Sequence, residues 1–500
     1  MDTVADARQL RIALQSYQYA VTKLPYPEAF APIHARFRDL SNHQFHIIDE
    51  PWLNAYELAT LTNYIAMFGA SKRNRKPYFS IEKPLNAFKK LWKLAEEVNS
   101  YSDNPDYVAA FILRIVYQQL PYIIHPARIP SMFARMNRLL STEAMNAYVT
   151  EKLGLETRSF FEVAAILFER FSLSAVYSER DLAGVVDQPT LRKVLTVLSA
   201  SRAERLDFHK NKLEVSSPSA KPYELNSLLR YPIIRREAKL YCPYPQLIGY
   251  AATRGLFFRW SEEDRGSFLE PFRQSNESYV KEVLCSALPN AEILTEEDER
   301  KLGWKGKAND VTAIIGDSAL LIECKTSGLY VDAKKTASPN SIISDVRKII
   351  ADAKERRGLF QLYDKSQAIR SKSLPTKLME KYKNVERIYP VLLLFDEIQM
   401  ANKAEVMGNI IKTELTDNGI GGFDYQIWHL EELDRLAEIA KSDLIHWTDE
   451  KFAAANKEID LNSFLAEKSG KNFLRLILFI PEGETRAIRV LRDLVNKHAN

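Results

Sequence analysis

Cysteine is scarce in this chain of 500 residues. Cys242, Cys285 and Cys324 stand singly, and no CxxC pair occurs. That spacing encodes neither a disulfide framework nor a zinc ribbon, and a reducing cytoplasm fits it best. Histidine adds no metal cluster. His43 and His46 with Asp49 have a possible ligand spacing, but nothing nearby extends it, and ordinary packed or surface histidines account for the pattern. A secretory leader is not expected, because residues 1–6 carry two acids where basic and then apolar residues are needed. The longest apolar stretch, residues 107–124, is cut by Arg114, Gln118 and Gln119. It reads as a buried helix, so no membrane partner is expected. There is no GxxxxGK[ST] loop, so any ATP-driven motor would be a separate chain. No fixed-period repeat supports a solenoid.

What is present fits a folded globular protein: 46% of residues are hydrophobic and 27% charged. The length suggests two to four domains. Net charge is only +4, but it is uneven. Residues 301–385 hold 17 Lys and Arg against 9 Asp and Glu, a net of +8, which leaves −4 for the rest. A polyanionic partner or a solvated basic face would each explain the excess. A second basic run, Lys72-Arg-Asn-Arg-Lys76 followed by an aromatic pair, reads as a charged loop between helices, with phosphate and base contacts as the functional alternative.

Residues 1–215 read as a mostly helical region. Leu85, Phe88, Leu91, Trp92, Ala95 and Val98 recur at helical spacing, as do Leu191, Val194, Leu195 and Leu198. Residues 216–265 read as a linker with short extended segments, in which prolines argue for edge strands. Residues 266–430 alternate helix and strand. A helix is expected over 272–288, a strand over 291–295, two strands within 310–325, a long helix over 342–363, and strands over 389–395 and 425–430. That order indicates an α/β domain with a mixed sheet flanked by helices. Residues 431–500 read as a helical and strand extension, with a terminal apolar run at 473–479.

The chemistry concentrates in residues 310–325. Two short apolar strands flank Gly316-Asp317, with Asp310 at the start of the first and Glu323-Cys324-Lys325 ending the second. Other acid-x-Lys triplets occur, but only this one closes a buried-looking strand. A two-residue turn of the II′ kind pairs Ile315 with Ser318, and that register puts Asp310 opposite Glu323. Lys325, two residues on, shares their face. Opposed carboxylates need a shared proton or a cation between them, and oxygen-only ligands favour Mg²⁺ or Mn²⁺. A bulge would shift this register. On the preceding helix, Glu277 lies on the apolar stripe of Val280, Val283, Leu284 and Ala287, and Glu282 lies opposite. Glu277 facing the sheet and Glu277 paired with Lys281 are both open. On the expected long helix, Arg357 and Gln361 fall on the buried stripe, unless Gly358 breaks it.

Asp310 and Glu323-x-Lys325 on two strands, between a helix with Glu277 and one with Gln361, resemble the PD-(D/E)XK nuclease superfamily, the restriction-endonuclease-like fold. The resemblance covers about residues 268–400, and Asn309 stands where the motif's proline is usual. It implies a Mg²⁺- or Mn²⁺-dependent phosphodiesterase. Asp310 and Glu323 would hold the metal, with the Cys324 carbonyl a possible further ligand and Glu277 acting through water or a second ion. Lys325 would orient or deprotonate the attacking water, or stabilise charge on the phosphorane. Lys305, Lys307, Lys334, Lys335, Lys348, Arg356, Arg357 and Gln361 are candidate nucleic-acid contacts. DNA is the favoured substrate, with restriction or defence as the biological setting by analogy of fold. A homo-oligomer or a separate partner protein is compatible. A non-catalytic nucleic-acid-binding or assembly protein, or an RNA-cleaving nuclease, is the alternative.

Overall fold

The computed structural model describes residues 3–42, 51–70, 80–99, 120–122, 124, 126–215, 217, 220–328, 339–396, 398, 402 and 409–469. Lys72–Lys76, His43, His46, Asp49, Lys334, Lys335 and the run 473–479 lie outside them.

The described N-terminal region is helical, with a small sheet whose strands are β1 (Val176–Ser178), β2 (Ser199–Ser201), β3 (Ile233–Arg236) and β4 (Lys239–Tyr241) in the order β1-β4-β3-β2. Here the edge-strand expectation is corrected. β3 and β4 are the interior strands, because Pro232, Pro243 and Pro245 flank them and remove no ladder hydrogen bond. The expected linker also contains the helices Gln246–Ala252 and Arg254–Glu263.

The larger sheet has the order β11-β10-β7-β6-β5, made of β5 (Glu292–Thr295), β6 (Val311–Ile315), β7 (Ser318–Lys325), β10 (Arg387–Leu394) and β11 (Gln426–His429). β5, β6 and β7 are successively antiparallel, and β7, β10 and β11 run parallel. The chain is α/β, with a mixed sheet flanked by helices. Pro390 sits within β10 and is tolerated there. At that position β10 pairs with β7, and pairing with β11 starts one residue later, at Val391.

Alternation along the strands splits the core in two. Val311, Ala313, Leu320, Ile322 and Cys324 face a core built with the helix Arg265–Ala287, helices of the N-terminal half and the helix Leu430–Ala440. Ile314, Ala319 and Leu321 face a second core with Val346, Ile350, Phe360 and Ile369. A third, aromatic core in the N-terminal half includes Tyr17, Phe88 and Trp92.

The long helix expected over 342–363 does not form. Its residues make the helix Pro339–Ile350, a small hairpin of β8 (Ala351–Asp352) and β9 (Arg357–Gly358), and a new helix Leu359–Arg370. Gly358 explains the break: its φ is +66°, and a Cβ there would lie 2.2 Å from the Ile350 carbonyl oxygen. The shared helical phase assigned to Arg357 and Gln361 therefore lapses.

Candidate active site

The β6–β7 hairpin carries the expected register. Ile315 pairs with Ser318 and Val311 with Ile322, which sets Asp310 opposite Glu323 one step beyond the ladder. Gly316 has φ +59° and Asp317 has no positive φ, as a II′ turn requires. β7 outruns β6, so Glu323, Cys324 and Lys325 project past the end of β6 while still pairing with Leu392, Leu393 and Leu394 of β10.

Asp310 closes that overhang. Its Oδ2 accepts a 2.6 Å hydrogen bond from the Cys324 backbone N–H. The segment before it is tied down on several sides. The Asn309 amide donates to the carbonyl of Val311 at 2.7 Å, the Gln361 amide donates to the Ala308 carbonyl, and the Glu296 backbone N–H donates to the Asp310 carbonyl at 3.2 Å. Asn309 thus fixes the entry to β6 by hydrogen bonding. Gln361 is buried, and its amide holds this segment.

Glu323 is buried on the same sheet face. Lys325 Nζ donates to its Oε1 at 2.7 Å, and its Oε2 is buried without a hydrogen-bond partner. Glu277 comes from the helix over the opposite face, Arg265–Ala287, and joins the group at the strand ends. Its Oε1 is also buried without a hydrogen bond, with Arg273 Nε at 3.5 Å. Its ion-pair partner is Arg273 and not Lys281, whose charge acts on Asp298. Glu282 points outward to Arg138 at 2.6 Å, as the helix phase requires.

Electrostatics bind the three acids together. Burial, then the charges of Glu323 and Glu277, push the Asp310 carboxyl well above its ordinary range. Burial raises Glu323 against the pull of Lys325. Burial, opposed by Arg273 and aided by Glu296 and Glu323, lifts Glu277 to about 7. Burial alone would lower Lys325, but the Glu323 carboxylate outweighs it and the ammonium is held. The Cys324 thiol is pushed up by burial and then by Asp310; its side chain belongs to the first core, so only its backbone is available to a ligand.

Carboxylate oxygens alone are hard donors that fit Mg²⁺ or Mn²⁺, and the orphan oxygens of Glu323 and Glu277 are suited to a cation. As arranged, no three His, Cys, Asp or Glu side chains among the described residues are gathered as a metal-binding group. Mg²⁺ commonly takes one or two carboxylates, waters and a substrate phosphate, so a two-carboxylate site is chemically sufficient.

The basic candidates divide. Lys305 and Lys307 are exposed on the loop before Asp310, and Lys307 Nζ donates to the Glu355 carbonyl in the β8–β9 turn. Arg357 is exposed on β9, and its charge acts on Lys325. Arg356 is engaged by Asp364. Two residues escaped the sequence reading. Arg273 acts on Glu277, Glu323 and Asp310, and Glu296 acts on Glu277 and Glu323. Arg273 had a legible signal: it stands one turn before Glu277 on the same helix.

Among the described residues no helix is long and apolar enough to cross a membrane. Comparison with family models, with curated proteins and with solved structures finds no match to this chain.

Proposed function

We propose that this chain is a metal-dependent nuclease that hydrolyses phosphodiester bonds, with DNA the favoured substrate, on a restriction-endonuclease-like domain. The observation that carries the reading is the meeting of Asp310, Glu323 and Lys325 at one end of β6 and β7, with Glu277 electrostatically joined to them. Buried acids that raise one another's proton affinity are costly unless a cation or a proton is shared, and such groups concentrate at functional sites.

Asp310 and Glu323 would hold Mg²⁺ or Mn²⁺, with the Cys324 carbonyl as a further oxygen and Glu277 acting through water. A bound ion of this kind acidifies its water and neutralises charge on the phosphate. Lys325 is held as an ammonium by Glu323, and in that form it donates a hydrogen bond to the attacking oxygen or to a phosphoryl oxygen. Water oxygen bonds to phosphorus and gives up one proton to solvent as the bond to the leaving oxygen breaks, and that oxygen takes a proton from solvent. Lys305 and Lys307, exposed on the loop before Asp310, and Arg357, exposed on β9, are the candidates for backbone contacts that position without reading sequence. Cytoplasmic restriction or defence, as a homo-oligomer or with a separate partner protein, is the setting the fold analogy suggests.

The test is cleavage of DNA and RNA by purified protein with Mg²⁺, with Mn²⁺ and with EDTA. Metal-dependent cleavage lost in Asp310→Ala and Lys325→Ala supports the reading, and the preferred polymer settles the substrate. Binding without cleavage under every metal would instead support a non-catalytic nucleic-acid-binding protein. One observation favours that second reading: the Lys325 ammonium is already engaged by Glu323 Oε1 at 2.7 Å.

A further inference from the structure

The helix Arg265–Ala287 brings a cation to the carboxylates as well as an acid. Arg273 lies one turn before Glu277, with its Nε 3.5 Å from Glu277 Oε1 and an Nη 3.1 Å from Glu270 Oε1. Neither contact is a demanding one. The Glu277 oxygen makes no hydrogen bond with it, and the Glu270 pair joins two half-exposed side chains at i, i+3 spacing. Pairs of that class contribute little and exchange readily. The arginine is 48% exposed, so it stands at the mouth of the site while the acids stand inside.

We propose that Arg273 is a substrate-contacting residue of this site: in this structure its guanidinium rests on Glu277 and Glu270, and with substrate it bonds the non-bridging oxygens of the phosphodiester held at the carboxylates. The inference rests on the nuclease reading. Its reach is supported by the mutual influence of Arg273 with Glu277, Glu323 and Asp310 alike. Glu277 and Glu323 lie on different elements, and Arg273 stands half-exposed beside the first of them. A phosphodiester drawn to the carboxylates would meet a planar donor that matches two of its oxygens, whereas a lysine offers a point charge. Lys325 approaches from the β7 side and Arg273 from the helix side, so the two would flank the phosphate.

The experiment compares wild type, Arg273→Ala, Arg273→Lys and Glu270→Ala. Binding of a short duplex DNA is read by fluorescence anisotropy in Ca²⁺, and cleavage is read in Mn²⁺. Arg273→Ala is expected to lose about 10²-fold or more in kcat/KM, on the scale of removing one donor to a developing anion, and to bind DNA more weakly. Arg273→Lys should recover only part of this, added guanidinium should restore part of the Arg273→Ala activity, and Glu270→Ala should cleave like wild type. A role limited to balancing the acids predicts the opposite pattern: unchanged cleavage and binding at saturating Mn²⁺, with no guanidinium rescue, and that result overturns the proposal. Wild type that binds DNA without cutting it removes the nuclease reading, and Arg273 is then judged by affinity alone. Wild type that neither binds nor cuts DNA or RNA overturns both.

Discussion

Glu277, Asp310 and Glu323 carry carboxyl groups that the fold makes harder to ionise than water does, chiefly by burying them. For Glu277 the consequence has a definite sign. Its proton is held up to about 7 in the folded state against an ordinary 4.5. The folded protein therefore binds that proton more tightly, and the stabilisation is full below the ordinary value and lost as pH rises through about 7. Glu277→Gln imitates the protonated acid. It should match wild type near pH 4 and exceed it near pH 8 by about 1–3 kcal/mol, since a pKa unit corresponds to about 1.4 kcal/mol. Urea unfolding of both proteins across that range checks this, and a less stable variant at pH 8 would mean that the Glu277–Arg273 contact outweighs burial. A cation shared by these acids should also relieve their repulsion. Mn²⁺ is expected to raise the melting temperature of wild type, by an amount equivalent to about 2.7 kcal/mol at a hundred times its dissociation constant. Chelation should reverse the shift, and Asp310→Asn or Glu323→Gln should abolish it.

At the scale of elements, two glycines set the frame of the site. Gly316 turns β6 into β7 at φ +59° with open space where a Cβ would stand. Gly316→Ala meets no neighbour, so it should cost only about 1–3 kcal/mol, the strain of the positive φ itself. Gly358, at φ +66°, would drive a Cβ to 2.2 Å from a backbone oxygen. Gly358→Ala should therefore cost more than Gly316→Ala and loosen the helix that carries Gln361; thermal unfolding ranks the two, and equal losses would contradict this. The same pair shows what is legible in the sequence. A two-residue turn fixes every partner along a hairpin, so Asp310 opposite Glu323 follows from counting. The stripe of Val280, Val283 and Leu284 likewise fixes Glu277 inward and Glu282 outward. Across Gly358 the apolar spacing of Val346, Ile350 and Phe360 continues as if one helix ran through, because both helices bury residues in the same core. Periodicity cannot register a reversal that preserves the burial pattern. Prolines misled in the other direction: beside β3 and β4 they mark strand ends and not sheet edges. Arg273 was passed over because sequence spacing reports which residues face a core, whereas this arginine acts from the rim.

At the scale of the molecule, the helix that bears Glu277 and Arg273 is anchored from both ends of the chain. Tyr279 donates to Asp434 at 2.9 Å, and Arg135 donates to the other oxygen of Asp434 at 2.6 Å. Arg128 binds Glu431 through two hydrogen bonds of 2.9 and 2.8 Å. The N-terminal half, the larger sheet and the helix Leu430–Ala440 therefore share one core, and a charge network ties the helices packed on it. Asp434→Ala removes the hydrogen-bonded partner of Arg135, leaves it only Glu431 at 3.8 Å, and should cost up to about 3–5 kcal/mol, while Arg135→Met with Asp434→Leu should recover most of that loss. Urea unfolding of the single and double variants tests it, and a single-variant loss under about 1 kcal/mol would contradict a shared network. The central claim is catalytic, and one measurement reaches it most directly: the initial rate of DNA cleavage by the full chain against Mn²⁺ concentration, for wild type and for Asp310→Asn, with both shown to be folded. The account predicts a rate that rises from zero and saturates with Mn²⁺ in wild type and is absent in the variant. Cleavage that is equal in the two proteins, or no cleavage of DNA by wild type at any Mn²⁺ concentration, would contradict it.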